Sequence, residues 1–140
     1  MKPPTNVTLK WDGEHRFDAK RQGDFPAIRI DASAKTGPGP VDVLVMSLAA
    51  CTGVDVVDIL AKRRTPVESF TVDATADRFD GVPARLTRVL LTYRIEGATV
   101  EREHAERAID LAITKYCSVR DSLRSEMPVE FKLVLNGSDA

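Results

Sequence analysis

The chain has 140 residues, the size of one ordinary domain, and is read as a single domain over 1–140. Hydrophobic residues make up 43% and charged residues 29%, which excludes disordered and fibrous classes. A formal net charge of −1 supplies no positive field, so neither nucleic acid nor an anionic membrane is expected as a partner.

No N-terminal stretch has the pattern of a signal peptide, and only twelve charge-free residues separate Asp42 from Asp55, too few to cross a bilayer. A cytoplasmic location is expected. Thiols stay reduced there, so Cys51 and Cys117 read as buried thiols, a redox pair or metal ligands.

Along the chain, NVTLKW alternates, with Val7, Leu9 and Trp11 on one face. Asp12-Gly13 offers a tight hairpin turn into HRFDAK. AIRIDAS gives a third short strand with Ile28, Ile30 and Ala32 on one face, and TGPGP stops it. Pro40 suits the first turn of a helix that runs to about Arg64. Its apolar residues lie nearly all round, which predicts a central, buried helix. Phe70, Val72, Ala74 and Ala76 alternate, Asp80-Gly81-Val82-Pro83 turns the chain, and Leu86 to Ile95 complete a long hairpin. From Thr99 to about Leu123, Ala105, Ala108, Ile109, Ala112, Tyr116 and Val119 repeat at helical spacing. Val129, Phe131, Leu133 and Leu135 form a last strand. The predicted order is βββ-α-ββ-α-β, an α+β domain.

At about 100° per residue, Leu44, Ser47, Leu48, Val54, Asp55 and Asp58 share the side of the first helix that carries Cys51. That face fits an access pocket or a subunit seam. It equally fits a helix emerging from the core with its acids paired to arginine. A carboxylate beside a thiol disfavours the thiolate, so a reactive Cys51 needs a cation, with Arg16, Lys115 and Arg120 as candidates. By the same logic Asp55 and Asp58 are expected to be structural acids pairing with arginines.

His15 and His104 lack the short ligand spacing of a zinc site with the cysteines, so no metal is expected. TGPGP lacks the lysine and glycine spacing of a phosphate loop. A histidine-assisted acyl transfer at Cys51 has no support in the sequence.

GPGPVDVLVMSLAACTGVDVVDIL and TKYCSVRDSL, with the opening LKWDG and the closing strand, resemble the OsmC/Ohr family in its OsmC-like branch. The resemblance covers most of the chain. It implies an intertwined homodimer with two long central helices packed against sheets and active sites at the interface. It further implies a thiol-dependent peroxidase that favours organic hydroperoxides, serves in oxidative or osmotic stress defence, and needs no cofactor. Cys51 would be the peroxidatic thiol and Cys117 the resolving one, with a dithiol as reductant. Leu44, Leu48 and Val54 would form an apolar wall for the substrate. Arg16 and Asp42 are the nearest matches to the family's arginine and glutamate; the chain lacks the Asn-Pro-Glu helix start. A non-enzymatic dimer of the same fold, sensing redox state or binding a small hydrophobic ligand, is the alternative.

Overall fold

The computed structural model describes residues 1–139 and divides into two compact units, Met1–Leu44 and Val45–Ala140. It is a mixed α+β protein with two separate three-stranded sheets and one long helix, α1 (Pro40–Lys62).

The first unit is an antiparallel sheet of β1 (Val7–Trp11), β2 (Arg16–Arg21) and β3 (Ile28–Asp31) in sequence order. Directly paired residues in an antiparallel sheet point to the same side. Leu9 pairs with Ala19 and Ala19 with Ile28; Trp11 pairs with Phe17 and Phe17 with Ile30. One face is therefore wholly apolar at its centre. The other carries Arg29, whose guanidinium donates to Asp18 at 2.9 Å and to Asp12 at 2.8 Å.

The Asp12-Gly13 hairpin signal is correct in place but not in length. Asp12 and Arg16 close a three-residue loop of Gly13, Glu14 and His15: the Asp12 amide donates to the Arg16 carbonyl at 2.9 Å, and the Arg16 amide donates to the Gly13 carbonyl at 3.0 Å. Both Gly13 (φ +83°) and Glu14 (φ +47°) take left-handed conformations. Glycine bears this at no cost; for Glu14 it is a strained choice.

At the end of β3 the Asp31 carboxylate organises the following turn. It accepts from the Ser33 amide (2.9 Å), the Thr36 amide (3.0 Å) and the Thr36 hydroxyl (2.8 Å). The Thr36 hydroxyl bond and then the Ser33 amide bond bring its pKa from 3.8 down to about 2. A depressed carboxylate stabilises the fold above its unfolded pKa and loses that contribution as pH falls through the folded value. The turn is therefore expected to hold to well below pH 4 and to loosen near pH 2. Carbon-detected NMR titration of the Asp31 carboxyl checks this, and a midpoint near 3.8 would contradict it.

The second unit is a sheet in the order β4 (Ser69–Arg78), β5 (Leu86–Glu96), β6 (Val129–Leu135). β4 and β5 are antiparallel; β6 lies parallel to β5, as the helical crossover between them allows. Val89, Leu91, Tyr93 and Ile95 alternate on the inner face of β5, flanked by Phe70 and Val72 on β4 and by Phe131, Leu133 and Leu135 on β6. The outer face is a charged ladder in which Arg88 grips Glu130 and Arg94 grips Asp73.

Leu48, Thr52, Val56 and Leu60 recur every fourth residue on α1 and are fully buried in the core of this unit. Gly53 gives α1 a close approach to Phe70 and Val72 of β4. The prediction of a helix buried all round does not hold within this chain. Met46 is 55% and Val54 59% exposed, because the apolar side opposite the core stripe has nothing from its own unit to cover it. By length and apolarity alone α1 is sufficient to cross a bilayer, although its core stripe packs as a buried helix does.

The second predicted helix also departs from expectation. α2 (Arg102–Leu111) buries Ala105, Ala108 and Ile109 as read, then gives way to a π-helical turn at Ala112–Tyr116. The Cys117 amide donates to the Ala112 carbonyl at 2.9 Å, five residues back rather than four. Cys117 itself is extended, and a short helix, α3 (Ser118–Asp121), follows. The wider turn shifts the phase of the side chains, so Cys117 is buried and Tyr116 faces out.

Candidate functional site

The fold brings the two cysteines together. Cys51 lies in the middle of α1 and is half-buried; Cys117 lies at the break between the π-helical turn and α3 and is only 3% exposed. Both are free thiols, and they are near enough for Cys51 to bear on the acidity of Cys117.

The environment of Cys117 keeps its proton on. Burial pushes the thiol up to about 11, and the neighbouring Cys51 acts in the same direction. The Arg120 amide donates to the Cys117 sulfur at 3.2 Å and opposes this, but more weakly. The two thiols are thus chemically distinct. Cys117 is the enclosed, protonated member, and a charge placed on Cys51 reinforces that state.

A buried polar pair stands beside them. Tyr93, at the centre of β5, donates its phenolic hydrogen to the Thr52 hydroxyl at 2.7 Å. Thr52 in turn donates back to the Leu48 carbonyl at 3.0 Å, one helical turn earlier. Both side chains are fully buried. Burial raises the Tyr93 phenol to about 12, partly countered by the bond to Thr52, so it remains a neutral donor. Tyr93 and Thr52 escape a sequence reading centred on cysteines. The available signal is a tyrosine alternating with Leu91 and Ile95, whose hydroxyl must find a partner inside the core.

The remaining predicted residues are engaged locally. Arg16 donates to the Asp12 carbonyl at 3.0 Å and lies 3.7 Å from the Glu14 carboxylate, so its guanidinium closes its own hairpin loop. Asp42 accepts from the Gly39 amide at 2.8 Å. This is the reciprocal half of a capping box at the start of α1, with aspartate in the glutamate's place. Arg120 points its guanidinium at the carbonyls of Arg124, Ser125 and Met127, while Lys115 lies 5.3 Å from the centre of the Tyr116 ring. The expected arginine partners of Asp55 and Asp58 are not found: neither makes an ion pair among the described residues.

Of the expected apolar wall, Leu48 is fully buried in the core, whereas Val54 borders an open apolar groove between α1 and β4 with Met46, Val57, Phe70 and Val72. His15 bonds to Ser33 at 2.7 Å, and His104 meets Arg63 at 2.7 Å and lies 3.5 Å from Glu101.

Comparison with known proteins agrees with this architecture. The family described as OsmC-like protein matches residues 31–132. The chain is similar to Protein YhfA of Escherichia coli strain K12, with 33% identity over 111 residues that span 79% of this chain and 83% of that protein. It is similar in fold to a hypothetical protein from Aquifex aeolicus VF5, at 24% identity and a TM-score of 0.86 over 96% of this chain and 98% of that one. It is also similar in fold to the organic hydroperoxide resistance protein OhrB of Bacillus subtilis, at 16% identity and a TM-score of 0.63 over 93% and 97% of the two chains. The α+β architecture with two three-stranded sheets, the long apolar helix and the match over most of its length together place this chain in the OsmC family.

Proposed function

We propose that the protein is a thiol-dependent peroxidase that reduces organic hydroperoxides through Cys51 and Cys117, in defence against oxidative stress. The observation that carries this reading is the nearness of two free thiols in unequal surroundings, one half-buried and one enclosed and protonated. The fold it shares with a hydroperoxide resistance protein adds support.

The chemistry balances with these two residues. The Cys51 thiolate attacks the terminal oxygen of ROOH, the O–O bond breaks, and the alkoxide takes a proton to leave as alcohol. Cys51 becomes a sulfenic acid. The Cys117 sulfur then attacks the Cys51 sulfur; its proton and the departing hydroxide leave as water, and a disulfide forms. A dithiol returns both cysteines to thiols and is itself oxidised to a disulfide. No metal or organic cofactor enters this sequence. Cys51 packs against the hydrophobic core, which favours an organic hydroperoxide over the smaller, more strongly hydrated hydrogen peroxide.

The working unit in this reading is a homodimer. Two apolar surfaces support it: the α1/β4 groove and the face of the first sheet where Leu9 is 50% and Trp11 62% exposed. A cytoplasmic location fits this reading, because a thiol cycle that must be returned to its reduced state draws on a reducing compartment.

The test is consumption of cumene hydroperoxide by the wild-type protein with a dithiol in excess, compared with hydrogen peroxide. Catalytic turnover with a clear preference for the organic substrate is expected. Thiol oxidation that is slow, stoichiometric and indifferent to the oxidant would sink the proposal.

A further inference from the structure

A cleft of about 360 Å³ opens beside the redox pair, on the side of Cys117. Ile113, Leu123 and Val129 give it apolar walls, Lys115 and Asp121 lie on its border, and Cys117 is the only thiol lining it among the described residues. Its volume suits a small molecule or the end of a carried prosthetic arm.

We propose that this cleft receives the dithiol reductant and that the incoming thiolate attacks Cys117, not Cys51. The inference rests on the redox-pair reading above and assigns the site and direction of its reducing half. Position is the first argument: Cys117, although only 3% exposed, is the sulfur that borders this cleft, whereas the more open Cys51 belongs to α1 and does not line it. Charge is the second. Arg120 and Lys115 both border the cleft, as does Asp121; three backbone carbonyls hold the Arg120 guanidinium in place, which makes the flexible Lys115 ammonium the cation that can move to meet a bound thiolate. The third is the leaving group. Exchange is faster when the departing thiol is the more acidic, and the environment that holds Cys117 near 11 makes it the poorer one to expel.

The bonds change as follows. One thiolate of the reductant attacks the Cys117 sulfur, a mixed disulfide forms, and the Cys51–Cys117 bond breaks with its electron pair leaving on Cys51. The second thiolate of the reductant then attacks its own first sulfur. A disulfide closes within the reductant, and Cys117 departs as a thiolate and recovers its proton. Two electrons pass from the dithiol to the protein.

The experiment uses full-length wild-type protein oxidised to its internal disulfide with diamide in one arm and cumene hydroperoxide in the other. A brief pulse of 3-mercaptopropionate, a monothiol that cannot finish the reaction, is quenched with acid, and the freed cysteine is alkylated and mapped by mass spectrometry. The expected product carries mercaptopropionate on Cys117 and alkyl on Cys51; the reverse pattern overturns the inference. In Lys115→Glu, the rate of disulfide reduction by mercaptopropionate relative to cationic cysteamine is expected to fall about tenfold, a size reasonable for reversing a nearby charge at a partly open site. An unchanged ratio also overturns it. If diamide forms the disulfide and hydroperoxide does not, the peroxidase reading fails while the direction of attack is still read out. If neither oxidant links the cysteines, both fail.

Discussion

Cys51→Ser is expected to abolish hydroperoxide turnover, while Cys117→Ser is expected to keep one round of oxidation and lose the rest. The difference follows from the unequal surroundings of the thiols. Serine at 51 removes the nucleophile, and the remaining thiol is only 3% exposed, in a setting whose burial, the largest cause of its raised pKa, still favours the protonated form. A thiol held in that form is a poor nucleophile, so Cys117 is not expected to substitute. Serine at 117 leaves the attacking sulfur intact but removes the group that would close the disulfide. The sulfenic acid at Cys51 then persists and, with further peroxide, advances to sulfinic acid. Trapping with dimedone followed by mass spectrometry reads both outcomes. Retained turnover in Cys51→Ser, or no trappable adduct in Cys117→Ser, would contradict the assignment of roles.

The second large effect concerns the pair behind the thiols. Thr52→Val is expected to destabilise the protein by about 1–3 kcal/mol, and Tyr93→Phe by only about 1 kcal/mol. The asymmetry comes from the direction of the hydrogen bonds. Valine keeps the shape of threonine but strands the Tyr93 O–H donor in a fully buried position. Phenylalanine removes that donor, and Thr52 still donates to the Leu48 carbonyl. For a chain of this size, each kcal/mol moves the melting temperature by roughly 3–5 °C. Calorimetry on the two variants and their double mutant measures the coupling. Equal losses in the single variants would show that the bond does not run from Tyr93 to Thr52.

Much of the fold was legible because its signals are local. Alternation in Val7–Trp11, in Leu86–Ile95 and in Val129–Leu135 marks strands directly, and Pro40 marks the start of α1. What escaped was tertiary or depended on an assumed period. The apolar positions from Ala105 to Ala112 fit a regular helix, and Tyr116 and Val119 continue that spacing, so nothing in the pattern announces the π-helical turn. The uniform apolarity of α1 likewise does not say which side its own chain will cover.

The candidate site was legible in its sulfur chemistry and less so in its supports. Two cysteines on two helical segments suggested a meeting that the fold provides. Arg16 and Asp42 matched by type and approximate position, yet in this chain one closes a hairpin loop and the other caps a helix. The Tyr93–Thr52 bond joins residues 41 positions apart, a distance over which no periodicity speaks.

The break at Cys117 also has a mechanical meaning. Closing a disulfide draws two free thiols together to an S–S separation of about 2.05 Å, and some part of the backbone must yield. Cys51 is fixed in the middle of a 23-residue helix, a stiff rod. Cys117 is carried on an extended residue between a five-residue turn and a four-residue helix, a compliant joint. The displacement is therefore concentrated on one side of the bond, and the sheet and α1 are spared the distortion when the pair closes and reopens.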